Sequence, residues 1–195
     1  MNRKLVLTTL ILGLLVVSAS FAADEYEIDV VHSSVGFSVR HLLISNVTGN
    51  FNDFSGKLLF DEQDITKSSV EMTIQSGSIN TNNADRDNHL RAGDFFNAEK
   101  FPTITFKSSK IEQVDGQYIL HGSFTMHGVT KEIAVPFEFI GKAKGPMGKQ
   151  RLGFEGSTKI DRKDFGISWN KTLDEGGLAV GNEVKVQLNI EAIKM

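Results

Sequence analysis

Five histidines are the side chains most able to carry catalysis or hold a metal: His32, His41, His89, His121 and His127. A cluster drawn from several strands can bind a metal without any sequence spacing, so spacing does not exclude one. None of the five falls in a metal-binding motif such as H-E-x-x-H, and each also reads as an ordinary hydrogen-bonded residue. There is no cysteine, which removes thiol catalysis and thiolate metal sites. The chain has no G-x-S-x-G elbow, no phosphate-binding G-x-x-x-x-G-K and no Rossmann glycine pattern. Asp61-Glu62-Gln63-Asp64 lacks the glycine and spacing of an EF-hand loop. Residues thus point away from catalysis: no catalytic set, no metal and no cofactor is expected.

Two polar clusters remain. Asp85-Arg86-Asp87-Asn88-His89-Leu90-Arg91 packs acids, bases and a histidine into two helical turns. It reads either as a solvated helix with local ion pairs or as a polar lid. In a lid, Arg86, His89 or Arg91 would meet an anionic head group. Arg162-Lys163-Asp164-Phe165-Gly166 reads as a turn with an aromatic plug.

The elements that would position these groups are strands. Alternation of period two places Val35, Phe37, Val39 and His41 on one face. It does the same for Val70, Met72 and Ile74, and for Ile104 and Phe106. Tyr118 to Met126, Val129 to Phe139, Leu152 to Ile160 and Val184 to Ala192 continue it. With Leu58-Phe60 this gives about eight strands. Asp115-Gly116 and His127-Gly128 suit tight hairpins, and Gly145-Pro146-Met147-Gly148 a longer loop. Only Ala84–Arg91 reads as a helix, capped by Asn82 or Asn83. The expectation is an all-β, antiparallel, eight-stranded barrel with one short helix; a two-sheet sandwich is the other arrangement of the same strands.

The first residues set the compartment. Arg3 and Lys4 precede an apolar run from Leu5 to Val17, and Ser20-Phe21-Ala22 fits a small-x-small cleavage pattern. The expectation is a signal peptide over residues 1–22, cleaved before Ala23, and one domain over 23–195. Removal of those two bases takes the formal net charge from −3 to −5. An acidic balance without a basic block argues against nucleic acid. An exported chain without disulfides suits a bacterial periplasm.

Phenylalanine dominates the aromatic residues, with 14 Phe against 2 Tyr and 1 Trp. Phe has no polar tip to satisfy, so it can line a dry interior, whether a packed core or a tunnel.

Five segments in order resemble the YceI-like family. They are HSSVGFSVRHLLISNVTGNFNDFSG from His32, DRDNHLRAGDFFNAEKFPTITFKS from Asp85, GSFTMHGVTKEI from Gly122, RKDFGISWN from Arg162, and LAVGNEVKVQLNIEA near the end. The resemblance covers essentially the whole mature chain. It implies an extended lipocalin-like barrel and an apolar channel for a long isoprenoid chain, such as an isoprenoid quinone or a polyprenyl diphosphate. With the export signal, the expectation is a periplasmic carrier or scavenger of such a lipid rather than an enzyme, open to transient membrane contact and to a monomer or homodimer. From the strand faces, the expected tunnel wall is Phe37, Val39, Ile104, Phe106, Phe124, Val135, Phe137 and Phe154. The expected mouth is Arg40, Arg86, His89, Arg91 and Trp169. A register error of one residue would invert a strand's choices. The other readings are a binder of a smaller amphiphile such as a fatty acid or fatty amide, a lipid-modifying enzyme using His41 or His89, and a solid-cored structural protein.

Overall fold

Alternation of inward apolar and outward polar residues generates eleven strands among the described residues. The computed structural model describes residues 23–145, 148–172 and 178–195. The expected signal peptide, and Pro146-Met147 of the expected long loop, lie outside the described residues. The strands are β1 (Asp24–Ile28), β2 (Ser34–His41), β3 (Ser45–Phe51), β4 (Phe54–Phe60), β5 (Ser69–Gln75) and β6 (Ile79–Asn80). After α1 (Ala84–Arg91) come β7 (Thr103–Val114), β8 (Gln117–Met126), β9 (Val129–Lys144), β10 (Gln150–Asp161) and β11 (Val180–Lys194).

Eleven strands make only eight staves. β11 pairs with β2 through Val180–Asn189 and with β1 through Ala192–Lys194, so β1 and β2 are one stave broken by a 3₁₀ turn at Val30–His32. β3 pairs with β2 and β4 with β1, which makes β3 and β4 a second stave, interrupted at Asn52-Asp53. β5 and β6 form the third, broken by a 3₁₀ turn at Ser76–Ser78. Cross-bonds from Gln75 N–H to Asp53 O and from Asn52 N–H to Ser78 O carry the ladder across two of these breaks. β7 to β11 supply the other five. Every stave pairs antiparallel with the next, and β11 closes on the first. The product is a closed eight-stranded meander barrel, as expected; towards the α1 end the ladder thins, because β6 meets β3 only at Asn50 and Phe51.

Among the described residues, three connections turn through two successive left-handed positions. Asp115-Gly116 and His127-Gly128 have φ of 52° and 85°, and of 52° and 76°. These are hairpins in which glycine takes the second left-handed position. The third, at Leu42-Leu43, has φ of 50° and 64° with leucine at both positions.

Because the staves alternate in direction, connections segregate to two ends. One end carries the Leu42–Ile44 tip, residues 81–102 with α1, the His127-Gly128 hairpin, the end of β10 and the start of β11. The other carries the turn at 61–68, the Asp115-Gly116 hairpin, the end of β9, the start of β10 and the start of β1. Strand length matches a tall barrel: β9 runs 16 residues and β11 runs 15. Ile140 is an extra residue in β9, since Gly153 pairs with Gly141 and Phe154 with Phe139. Phe137 and Phe139 face inward and Ile140 outward, where it is exposed, and the bulge resets the facing of β9 from Gly141 on.

Candidate functional site: an apolar tunnel

The inner faces of all eleven strands surround one cavity of about 250 Å³. All eight residues expected as wall face it: Phe37, Val39, Ile104, Phe106, Phe124, Val135, Phe137 and Phe154. Several of these, including Phe37, Phe106, Phe124, Phe137 and Phe154, are only partly buried although they point inward. Side chains that border empty space keep such residual exposure, whereas a close-packed core would bury them. Polar side chains are scarce in the lining, where Ser68, Glu155, Thr158 and Arg162 are the exceptions. A bound molecule would therefore meet hydrocarbon along almost its whole length.

Glycine shapes the wall at two points. A Cβ on Gly49 would lie 2.6 Å from the Phe37 ring, its cross-strand partner. A Cβ on Gly122 would lie 2.6 Å from the Phe106 ring and 2.4 Å from the Lys107 carbonyl. Both rings thus lie flat over glycine on the neighbouring strand rather than filling the cavity.

The two ends are closed differently. At the end away from α1, Phe60 packs on Tyr26, Phe139 and Phe154 at centroid distances of 6.1, 5.3 and 5.9 Å. Leu152 and Ala192 are fully buried beside them.

At the α1 end the plug is apolar underneath and polar in its anchoring. Leu90, Phe95, Phe96 and Ile167 reach the cavity. Trp169 packs on Phe95 at 5.1 Å, and His89 packs edge-on against both rings at 4.9 and 5.1 Å. α1 is polar on all sides apart from Leu90, so packing alone does not hold it. Asn83 caps it by accepting from Arg86 N–H. Buried Asp87 accepts from the backbone N–H and hydroxyl of Thr81 at 2.9 and 2.5 Å. Arg86 donates to the Thr81 hydroxyl and carbonyl at 2.7 and 2.9 Å. Arg91 donates to the Ile79 carbonyl at 3.2 Å and to Asn88 at 2.8 Å.

None of the five expected mouth residues lines the cavity. Arg86 and Arg91 place their donors on the β6 segment, because a polar helix needs such bonds to stay attached. His89 and Trp169 build the plug, and Arg40 lies exposed on the outside of β2. The helix is thus a fastened cap. Arg86 and Arg91, expected at the mouth, direct these donors to Thr81, Ile79 and Asn88.

The residue that sequence reasoning passed over is Arg162. Its 3₁₀ turn (Arg162–Phe165) carries the expected aromatic plug, with Phe165 2% exposed. Arg162 itself is 4% exposed. It donates to the carbonyls of Gly181 at 2.9 Å and of Ile167 and Trp169, each at 2.8 Å. No carboxylate lies within ion-pair distance among the described residues; Asp161 acts on it only through space. Burial pushes its pKa down, but a guanidinium stays charged. Carbonyl dipoles solvate it, and in return it ties the segment after β10 to β11. The available signal was the Arg162–Gly166 turn itself, where an arginine sits three residues before the expected aromatic plug.

None of the five histidines borders the cavity. His32 bonds Asp29 at 2.8 Å, His121 bonds Glu112 at 2.8 Å and His127 meets the Phe165 carbonyl at 3.1 Å. Asp29, His32 and Glu191 do bring three ligand-type atoms within 4.8 Å. Arg151 already donates to Asp29, at 2.7 Å, and to Glu191, so a guanidinium holds the cation's place there.

The model of the YceI-like domain matches residues 26–192. The chain belongs to the YceI-like family. A UPF0312 protein of Vibrio vulnificus (strain YJ016) is 39% identical over 197 residues, covering 100% of both chains. The crystal structure of the Campylobacter jejuni YCEI protein matches with a TM-score of 0.69 at 37% identity, covering 80% of this chain and 90% of that one. A polyisoprenoid binding domain from Saccharophagus degradans shares the fold, with a TM-score of 0.65 at 15% identity, covering 87% of this chain and 98% of that one.

Proposed function

We propose that this YceI-like protein is a periplasmic carrier that sheathes the chain of an isoprenoid lipid, of the isoprenoid quinone or polyprenyl diphosphate type, and catalyses nothing. The observation that carries the reading is the tunnel: a cavity along the barrel with an almost wholly apolar lining. Such a wall suits a long apolar chain, because each CH₂ group moved out of water contributes about 0.8 kcal/mol before ordering costs. The histidines stand away from the cavity, which favours binding over turnover. The signal-peptide pattern at residues 1–22 supports export, and the isoprenoid-binding relative of the same fold supports the ligand class.

The modest cavity volume favours a second reading, a fatty acid or fatty amide of shorter chain. Mass spectrometry of the detergent-free protein, native and then solvent-extracted, separates the two. A stoichiometric isoprenoid supports the carrier, and a shorter acyl ligand replaces the cargo. No ligand, with no uptake of added isoprenoid quinone, overturns both. Phe137→Asp places a carboxylate in the wall; the folded variant should retain at least about tenfold less lipid, measured by the same extraction.

A further inference from the structure

The Leu42–Ile44 tip is at odds with its own chemistry. Leu42 and Leu43 occupy successive left-handed positions, with φ of 50° and 64°, and Ile44 N–H closes the turn on the His41 carbonyl at 3.2 Å. The barrel's other two-position left-handed turns place Asp-Gly and His-Gly there. Leucine is disfavoured in that conformation, and exposed apolar surface adds a second penalty. Leu43 is 64% exposed and Ile44 81%. Strain combined with exposure at one spot, uncompensated by packing, points to a use outside the fold.

Three observations narrow what the tip meets. First, the hairpin projects: β6 pairs with β3 only at Asn50 and Phe51, so Ser45–Thr48 are paired on the β2 side alone. Second, exposed Arg40 precedes the tip, and exposed Lys171 stands beside it, since Leu42 donates to Ala179 and Ala179 to Lys171. Neither cation forms an ion pair among the described residues. Third, three apolar side chains on a narrow hairpin are far too few for a stable protein interface, which buries roughly 800 Å² per partner. Insertion into hydrocarbon needs no complementary shape, and flanking cations suit a phosphate layer.

We infer that the Leu42–Ile44 tip inserts into a lipid bilayer, with Arg40 and Lys171 at the phosphates, and so presents the α1 end of the tunnel to the membrane. The inference rests on the lipid-carrier reading, because a cargo held by its chain is drawn from and returned to a bilayer. It identifies the loading end as the one whose plug is Leu90, Phe95, Phe96 and Ile167.

The mature chain has no cysteine of its own, so single labels are clean. Ile44→Cys and Val31→Cys, carrying a polarity-sensitive fluorophore, are mixed with vesicles of phosphatidylethanolamine and phosphatidylglycerol. Val31 is 86% exposed on the barrel side and serves as the control. The Ile44 label should shift to the blue and the Val31 label should not. Leu42→Asn with Leu43→Gly suits the left-handed turn; it should melt no lower than the parent, yet sediment with vesicles about tenfold less. An Ile44 label blind to vesicles, or an Asn-Gly variant that sediments like the parent, overturns the inference. So does a blue shift that needs only more protein and coincides with a dimer in light scattering. Uptake of dispersed isoprenoid quinone without vesicles reads the cargo alone: a parent that takes up none fails the carrier reading, whereas vesicle sedimentation judges the tip.

Discussion

The two ends of the barrel reach closure by opposite physics. Away from α1, aromatic and aliphatic side chains pack on one another: Tyr26, Phe60, Leu152, Phe139 and Phe154. At the α1 end, apolar groups form only the underside of a plug. Its position is fixed by directional bonds from side chains that include buried Asp87, on Thr81, and buried Arg162, on the carbonyls of Gly181, Ile167, Trp169 and Val180. Hydrophobic packing is non-directional and tolerates relaxation, whereas charged hydrogen bonds fix geometry and fail abruptly when a partner is lost. The α1 end is thus held by a small number of directional contacts, each of which a single substitution can remove.

The comparison can be tested from its largest effect down. Phe60→Ala removes the ring at the centre of the packed end and should cost about 3–5 kcal/mol in urea unfolding. Arg162→Met leaves the carbonyls of Gly181, Ile167 and Trp169 without their donor. It should cost roughly 3 kcal/mol, with amide exchange rising first in the segment after β10. If Arg162→Met is neutral, the α1 end is packed like the other and the contrast fails. Asp87→Ala should cost about 2 kcal/mol and free α1 without unfolding the barrel. The lone tryptophan, Trp169, reads this directly, because its emission should move to the red as the plug loosens.

The smallest effect concerns the break between β1 and β2. The bond to His32, and then Arg151, outweigh burial and hold Asp29 at a pKa of about 2, against an ordinary 3.8. A lowered folded-state pKa means that the stabilisation is complete above 3.8 and disappears as pH falls through about 2. The stability gap between the parent and Asp29→Asn should therefore narrow across that window; a gap independent of pH would remove the clamp from the account.

Much of the wall was legible in the sequence. Regular alternation in β7 to β11 sets the inward face of a long strand, and Ile104, Phe106, Phe124, Val135, Phe137 and Phe154 follow from it. β1 and β3 were not read as strands. β1 is five residues long, and β3 carries Gly49 on its inner face beneath the Phe37 ring, where a hydrophobic pattern shows a gap. Phe95 and Phe96 were hidden in an irregular segment without a period. The roles of Arg86, Arg91 and Arg162 were not legible, because the same side chain serves an anionic ligand or a backbone carbonyl equally well.

The sequence by itself determined the all-β class, the inward faces of the long strands, the tight glycine hairpins and the short helix, since these follow from local periodicity and backbone preference. Only the tertiary structure decided that eleven strands merge into eight staves, that inward phenylalanines border a void, and that α1 is tied down through Thr81. Those outcomes depend on pairing and packing between residues far apart in the chain, and local pattern carries no record of distance.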